Sequence, residues 1–217
     1  YLLKYFWNIT LETKYMKTVL CFGDSNTFGY IPGGIGRFSV IERYTGILST
    51  LLWPEYNVVA NGVVGRTTVY EDPVREGKRG ISDVEESVRS ANPDIFVIAL
   101  GTNDVKQAFN NSEADITAGI DKIINLVLSV KPNVQVVIMV PAPISEDALP
   151  HSNDYNSYSL EVSTNLHTEV EKYAKEHGYK FLNIGSFTNV SPVDGEHLAT
   201  ESHKMVAERL CEIIKSM

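Results

Sequence analysis

Apolar residues fall along this chain in two alternating rhythms. Five short runs, at 18–22, 57–61, 94–100, 134–140 and 180–184, are apolar almost throughout. Such runs predict parallel strands covered on both faces, because a strand with one wet face would alternate apolar and polar residues. Between them the spacing lengthens to three or four. Ile116, Ile120, Ile123, Ile124, Val127 and Val130 make one stripe; Leu166, Val170, Tyr173 and Ala174 make another that stops at Gly178. Leu198, Met205, Val206, Leu210, Ile213 and Ile214 make the last. These stripes predict helices. Residues 44–53 and 81–90 predict two shorter ones, closed by Pro54 and by Asn92-Pro93.

Strands alternating with helices predict an α/β fold, a three-layer sandwich around a doubly wound five-stranded parallel sheet. Five strands suit the flavodoxin-like order 2-1-3-4-5. No repeat, low-complexity tract or linker breaks the pattern, so residues 16–217 read as one domain. Met16-Lys17 directly precedes the first strand, so Met16 is expected to be the natural start and residues 1–15 an N-terminal extension that adds nothing to the core. Two loops, 30–42 and 141–156, are long enough to be functional.

The formal net charge of -8 is spread along the chain. A diffuse acidic surface argues against nucleic acid or an anionic membrane as partner. No apolar run approaches the ~20 residues of a membrane span. The two cysteines, Cys21 in the first strand and Cys211 in the last helix, read as buried reduced thiols and fit a cytoplasmic setting. His151, His167 and His177 lack metal-ligand pairing, so neither metal nor cofactor is expected. His203 is expected on the surface.

In an open α/β sheet, ligands bind beyond the carboxyl ends of the strands. Gly23-Asp24-Ser25 follows strand 1, Gly62-Val63-Val64-Gly65-Arg66 follows strand 2, and Gly101-Thr102-Asn103-Asp104 follows strand 3. Asp194-Gly195-Glu196-His197 follows strand 5. On one rim these offer a complete acyl-transfer set. Ser25 is the candidate nucleophile, His197 its base, and Asp194, three residues earlier, the acid that orients the imidazole. The N–H groups of Ser25 and Gly65 and the Asn103 amide are the candidate oxyanion donors. Asp24 and Arg66 are candidates for substrate contact, with loop bracing an equal alternative for Arg66; Asp104 is expected to fix the Asn103 loop. A competing reading is a flavodoxin-like binding or electron-transfer protein, in which Ser25-Asn26-Thr27 would form a hydroxyl-rich phosphate loop. The α/β-hydrolase elbow Gly-x-Ser-x-Gly is absent, because position 27 is Thr.

The four blocks, in this order and strand context, resemble the SGNH, or GDSL-type, hydrolase family. The one departure is Asn26, where the family's namesake motif has leucine. Cys21-Phe22-Gly23-Asp24-Ser25, Arg43-Tyr44-Thr45-Gly46 and Gly65-Arg66-Thr67-Thr68 look most like the small bacterial arylesterase/acyltransferase branch. That resemblance implies the SGNH hydrolase fold and hydrolysis of short-chain acyl esters, with acyl transfer to alcohols in some members. It also implies oligomers built through the loop after the serine block; the corresponding loop here, 30–42, is shorter, which leaves a homo-oligomer open.

Overall fold

The computed structural model describes residues 15–34 and 36–217. The expectation for the N-terminal extension, Tyr15 apart, lies outside them. Five strands, β1 (Lys17–Gly23), β2 (Tyr56–Gly62), β3 (Ile95–Ala99), β4 (Gln135–Val140) and β5 (Lys180–Asn183), form one parallel sheet in the order β2-β1-β3-β4-β5. Helices α1 (Ser25–Phe28), α2 (Tyr44–Leu52), α3 (Gly80–Ala91), α4 (Glu113–Val130), α5 (Ser157–His177) and α6 (Thr200–Lys215) occupy the connections and the C-terminus. This is the expected doubly wound sandwich.

Successive side chains of a strand point to opposite faces, so each buried strand feeds two cores. Leu20 and Phe22 of β1 join Phe96, Ile98, Val136 and Ile138 beneath α3, α4 and α5. Val19 and Cys21 join Ile95, Val97, Val137 and Met139 beneath α2 and α6. That is why β3 and the buried stretches of β1 and β4 are apolar on both faces. Each fully buried Val, Leu, Ile or Phe contributes roughly 1.5–3 kcal/mol. The helix ends are fixed by local chemistry. Ser112 and Asp115 close a capping box on α4, Asn156 and Ser159 do so on α5, and Gly178 ends α5 in the left-handed conformation at φ 72°.

The last helix departs from its expected stripe. Leu198 lies before α6, held in an extended bridge to Val190, and Met205 is 38% exposed. The buried line runs instead through His203, Val206, Ala207, Leu210 and Ile214, so His203 is fully buried and not on the surface. Both cysteines are free and buried, and burial pushes the Cys21 thiol up to about 12, which leaves it inert. No helix among the described residues is long and apolar enough to cross a membrane.

Candidate active site

Sheet register brings the site together. Gly23 pairs with Gly62 on one side and Ala99 on the other, so three strands end at the same level. Ser25 follows two residues later, Gly65 three and Asn103 four. The approach is close: a Cβ on Gly62 would lie 2.1 Å from the Phe28 backbone nitrogen, so only glycine lets β2 end against α1. Gly65 turns at φ 80°, again a glycine conformation.

The fourth block comes from the far end of the chain and is pinned by Asn26. Its Oδ1 accepts from the Leu198 N–H at 2.9 Å and its Nδ2 donates to the Glu196 carbonyl at 3.5 Å. One amide thus brackets His197 from both sides, which a leucine at this position could not do. His197 Nε2 lies 3.0 Å from Ser25 Oγ and His197 Nδ1 lies 2.8 Å from Asp194 Oδ2. The Tyr30 ring lies against the imidazole at 4.7 Å between centroids. Ser25 and His197 are 2% and 7% exposed.

Asp194 is saturated with donors. Its Oδ1 accepts from the Glu196 and His197 N–H groups, and its Oδ2 from His197 Nδ1 and the Gly33 N–H. Burial works against the charge, but the His197 and Gly33 hydrogen bonds outweigh it and hold the carboxyl below the usual carboxylate range. His197 moves the other way. Burial lowers it, yet its bond to Asp194 and the charges of Glu196, Asp194 and Asp24 raise it above 6.5. The arrangement therefore supplies a hydroxyl, a strengthened base beside it and a carboxylate that stays ionised.

Of the oxyanion candidates, Asn103 lies against the Gly65 turn. Asn103, 2% exposed, donates through Nδ2 to the Arg66 carbonyl at 3.2 Å, next to Gly65. An amide nitrogen carries two hydrogens, so one remains for a ligand. Ser25 opens α1, where helix N–H groups have no intrahelical acceptor. Asp104 fixes the Asn103 loop by accepting from both Thr68 N and Thr68 Oγ1. Burial pushes the Asp104 carboxyl up to about 6. Among the described residues no group of three or more His, Cys, Asp or Glu side chains is placed to hold a metal ion.

Residues 19–210 match the family described as GDSL-like Lipase/Acylhydrolase. The chain belongs to this family. An aryl esterase of M. smegmatis superposes with a TM-score of 0.86 at 28% identity, over 92% of this chain and 99% of that one. The carbohydrate acetylesterase Est24 of Sinorhizobium meliloti gives 0.86 at 25%, with 92% and 99% covered. A carbohydrate acetylesterase family member of the same species gives 0.86 at 30%, with 93% and 98% covered. No curated protein sequence matches the chain. The protein is a GDSL-family carboxylic ester hydrolase with the SGNH fold.

Within this GDSL hydrolase, the two residues expected to contact substrate, Asp24 and Arg66, also make structural hydrogen bonds. Asp24 is 2% exposed and caps α1, accepting from the Asn26 N–H at 2.9 Å. Arg66 is 1% exposed and donates to the Gly23 and Asn61 carbonyls, the Asn61 side chain and Asp83. Its guanidinium sits 4.0 Å over the Phe22 ring. Arg66 braces the serine loop from beneath through its two NH₂ groups, whereas Asp24 caps α1 and also lines the cavity beside that loop. Other features escaped the sequence. The Gly33 N–H on Asp194 and the Tyr155 hydroxyl on Glu196 Oε1 at 2.7 Å come from loops without a recognisable motif. The clamp at Asn26 did leave a signal, the departure from leucine, but nothing nearby in sequence shows what the amide holds.

Proposed function

We propose that this GDSL hydrolase is a serine esterase that cleaves short-chain acyl esters through an acyl-enzyme on Ser25. The observation that carries the reading is the relay of Ser25 Oγ, His197 and Asp194, at 3.0 and 2.8 Å. Ser25 Oγ attacks the ester carbonyl carbon as its proton passes to His197 Nε2. The oxyanion accepts from the Ser25 N–H, the Gly65 N–H and Asn103 Nδ2, each such donor being worth roughly 10²–10³ in rate. Collapse breaks the ester C–O bond, and His197 returns the proton to the departing alcohol or phenol. Water then attacks the acyl-serine, gives its proton to His197 and releases the acid as Ser25 regains its hydrogen. An alcohol entering in place of water yields a new ester, which is acyl transfer.

Aryl esters and acetylated carbohydrates, after the names of the similar structures, are the proposed substrates, with a phenol or a sugar hydroxyl as the leaving group. Behind the serine loop, against Asp24, Asn26, Thr27, Met139, Pro141 and Leu198, lies a cavity of about 20 Å³, enough for one water. The test is Ser25→Ala with p-nitrophenyl acetate. Loss of the nucleophile is expected to lower kcat on the order of 10⁶-fold. Undiminished hydrolysis would overturn the mechanism. Rates across p-nitrophenyl esters are expected to fall from acetyl to octanoyl.

A further inference from the structure

Lys106 and Asp72 form a nearly inaccessible ion pair that the acyl-transfer chemistry does not use. Lys106 Nζ lies 2.6 Å from Asp72 Oδ2, with side chains 3% and 4% exposed. The pair extends outward: Lys106 Nζ is 3.4 Å from Asp154 Oδ2, and Arg75 lies 3.0 Å from Asp154 and 3.9 Å from Asp72. Two cations and two carboxylates balance. The Lys106 ammonium is taken up by the Asp72 and Asp154 carboxylates. Stability alone is a poor reason for such a pair, because desolvating two charges offsets most of their attraction.

Its place in the chain supplies a reason. Lys106 belongs to the turn that presents Asn103, and its N–H donates to the Asn103 carbonyl at 3.4 Å. Asp72 belongs to the loop that follows Gly65. Its Oδ1 accepts from the Val74 and Arg75 N–H groups at 2.9 and 3.2 Å. The Arg75 stem returns to the oxyanion side, with Cδ 3.5 Å from where a Gly65 Cβ would stand. Asn103, Lys106, Asp72, Arg75 and Gly65 thus form a chain of contacts, closed on the inner side by the Asn103 bond to the Arg66 carbonyl. The 141–156 loop is tied in as well, since the Gln107 N–H donates to the Asp154 carbonyl at 2.8 Å.

We propose that Lys106 is a positioning residue, whose ion pairs with Asp72 and Asp154 hold the Asn103 and Gly65 donors at the spacing that the tetrahedral oxyanion requires. The proposal rests on the esterase reading. A misplacement of about 1 Å costs about 100-fold in rate, and this error falls on the transition state alone. The experiment compares Lys106→Met, the partly exposed Asp154→Asn and the charge-free double variant Lys106→Met/Asp72→Asn with the parent. It measures kcat and KM for p-nitrophenyl acetate, the Ki of phenylboronic acid as a tetrahedral mimic, and Tm. For Lys106→Met and the double variant, kcat is expected to fall about 10- to 100-fold, with KM within about twofold and boronate binding weakened in step with kcat. Asp154→Asn is expected to show the same split at about 3- to 10-fold. If the folded variants lose only Tm and keep parental kcat and Ki, the pair is a packing feature and the proposal fails. If Lys106→Met does not fold, the other two variants decide on the same terms. A parent without turnover would sink the esterase reading instead.

Discussion

Replacing Asp194 with Asn changes one atom, and the geometry says that the change cannot be absorbed. Four N–H donors converge on the carboxylate, two on each oxygen: Glu196 and His197 backbone on Oδ1, His197 Nδ1 and Gly33 on Oδ2. An amide offers one acceptor oxygen. Either way round, its NH₂ must face two N–H groups. Where it faces Gly33 and the imidazole, only the imidazole can escape, by moving its proton from Nδ1 to Nε2. That tautomer presents N–H to Ser25 Oγ and can no longer take the serine proton. The expected loss in kcat is about 10⁴-fold. Asp194→Ala, which removes the acceptor outright, is expected to fall within about tenfold of the same value. The isosteric amide should therefore rescue nothing. KM should hold within about twofold, because Asp194 touches no substrate atom in this mechanism. The site is largely buried, with the His197 and Asp194 side chains 9% and 13% exposed, so an unmatched donor costs about 1–3 kcal/mol and Tm drops by about 2–4 °C for each kcal/mol. The assay is saturating p-nitrophenyl acetate hydrolysis with Tm measured alongside. If Asp194→Asn keeps activity within about tenfold of the parent, or exceeds Asp194→Ala by about 100-fold, the orienting role assigned to this carboxylate is wrong.

Two further expectations concern pH. Because His197 must be neutral to accept the serine proton, activity is lost as pH falls through its raised pKa, so the acid limb of kcat/KM should lie above 6.5. Glu196→Gln removes one of the charges that raise it and should move that limb down; a limb that stays put would show that the Glu196 charge does not reach the imidazole. His203 concerns stability. Burial lowers it from 6.5 to about 4, and its Nδ1 accepts from the Tyr44 N–H at 3.3 Å. Between those values the unfolded chain binds the extra proton, so stability is lost as pH falls through this window, by about 3 kcal/mol in all. Asp24 and Asp104, raised to about 6 by burial, act in the opposite direction there. Urea unfolding at pH 7 and pH 5 should thus show a shallower acid loss in His203→Gln than in the parent. Equal slopes would rule out the buried neutral imidazole.

The sandwich and most of the site were legible because both rest on local rules. A strand buried on two faces must be apolar at its buried positions, and β3 is so throughout, β1 from Val19 and β4 from Val136. The serine, glycine and asparagine blocks could be placed on one rim because each follows a strand directly, and parallel strands end on the same side. Tertiary structure decided what depends on partners distant in sequence. Arg66 and Asp24 read as site residues from their neighbours, yet Gly23, Asn61 and Asp83 turn Arg66 inward, and the first turn of α1 takes Asp24. His203 looked polar enough for the surface, and the packing of α6 on α2 buried it beside Phe38 and Tyr44. Asn26 and His197 are 171 positions apart, and Lys106 and Asp72 34, so only the folded sheet could reveal that one amide grips the base and that one ion pair ties two donor loops. Periodicity reports which face of an element is apolar. It carries no information on which polar atoms meet across the crevice, because a hydrogen bond requires two groups within about 3 Å in space and places no constraint on their separation in sequence.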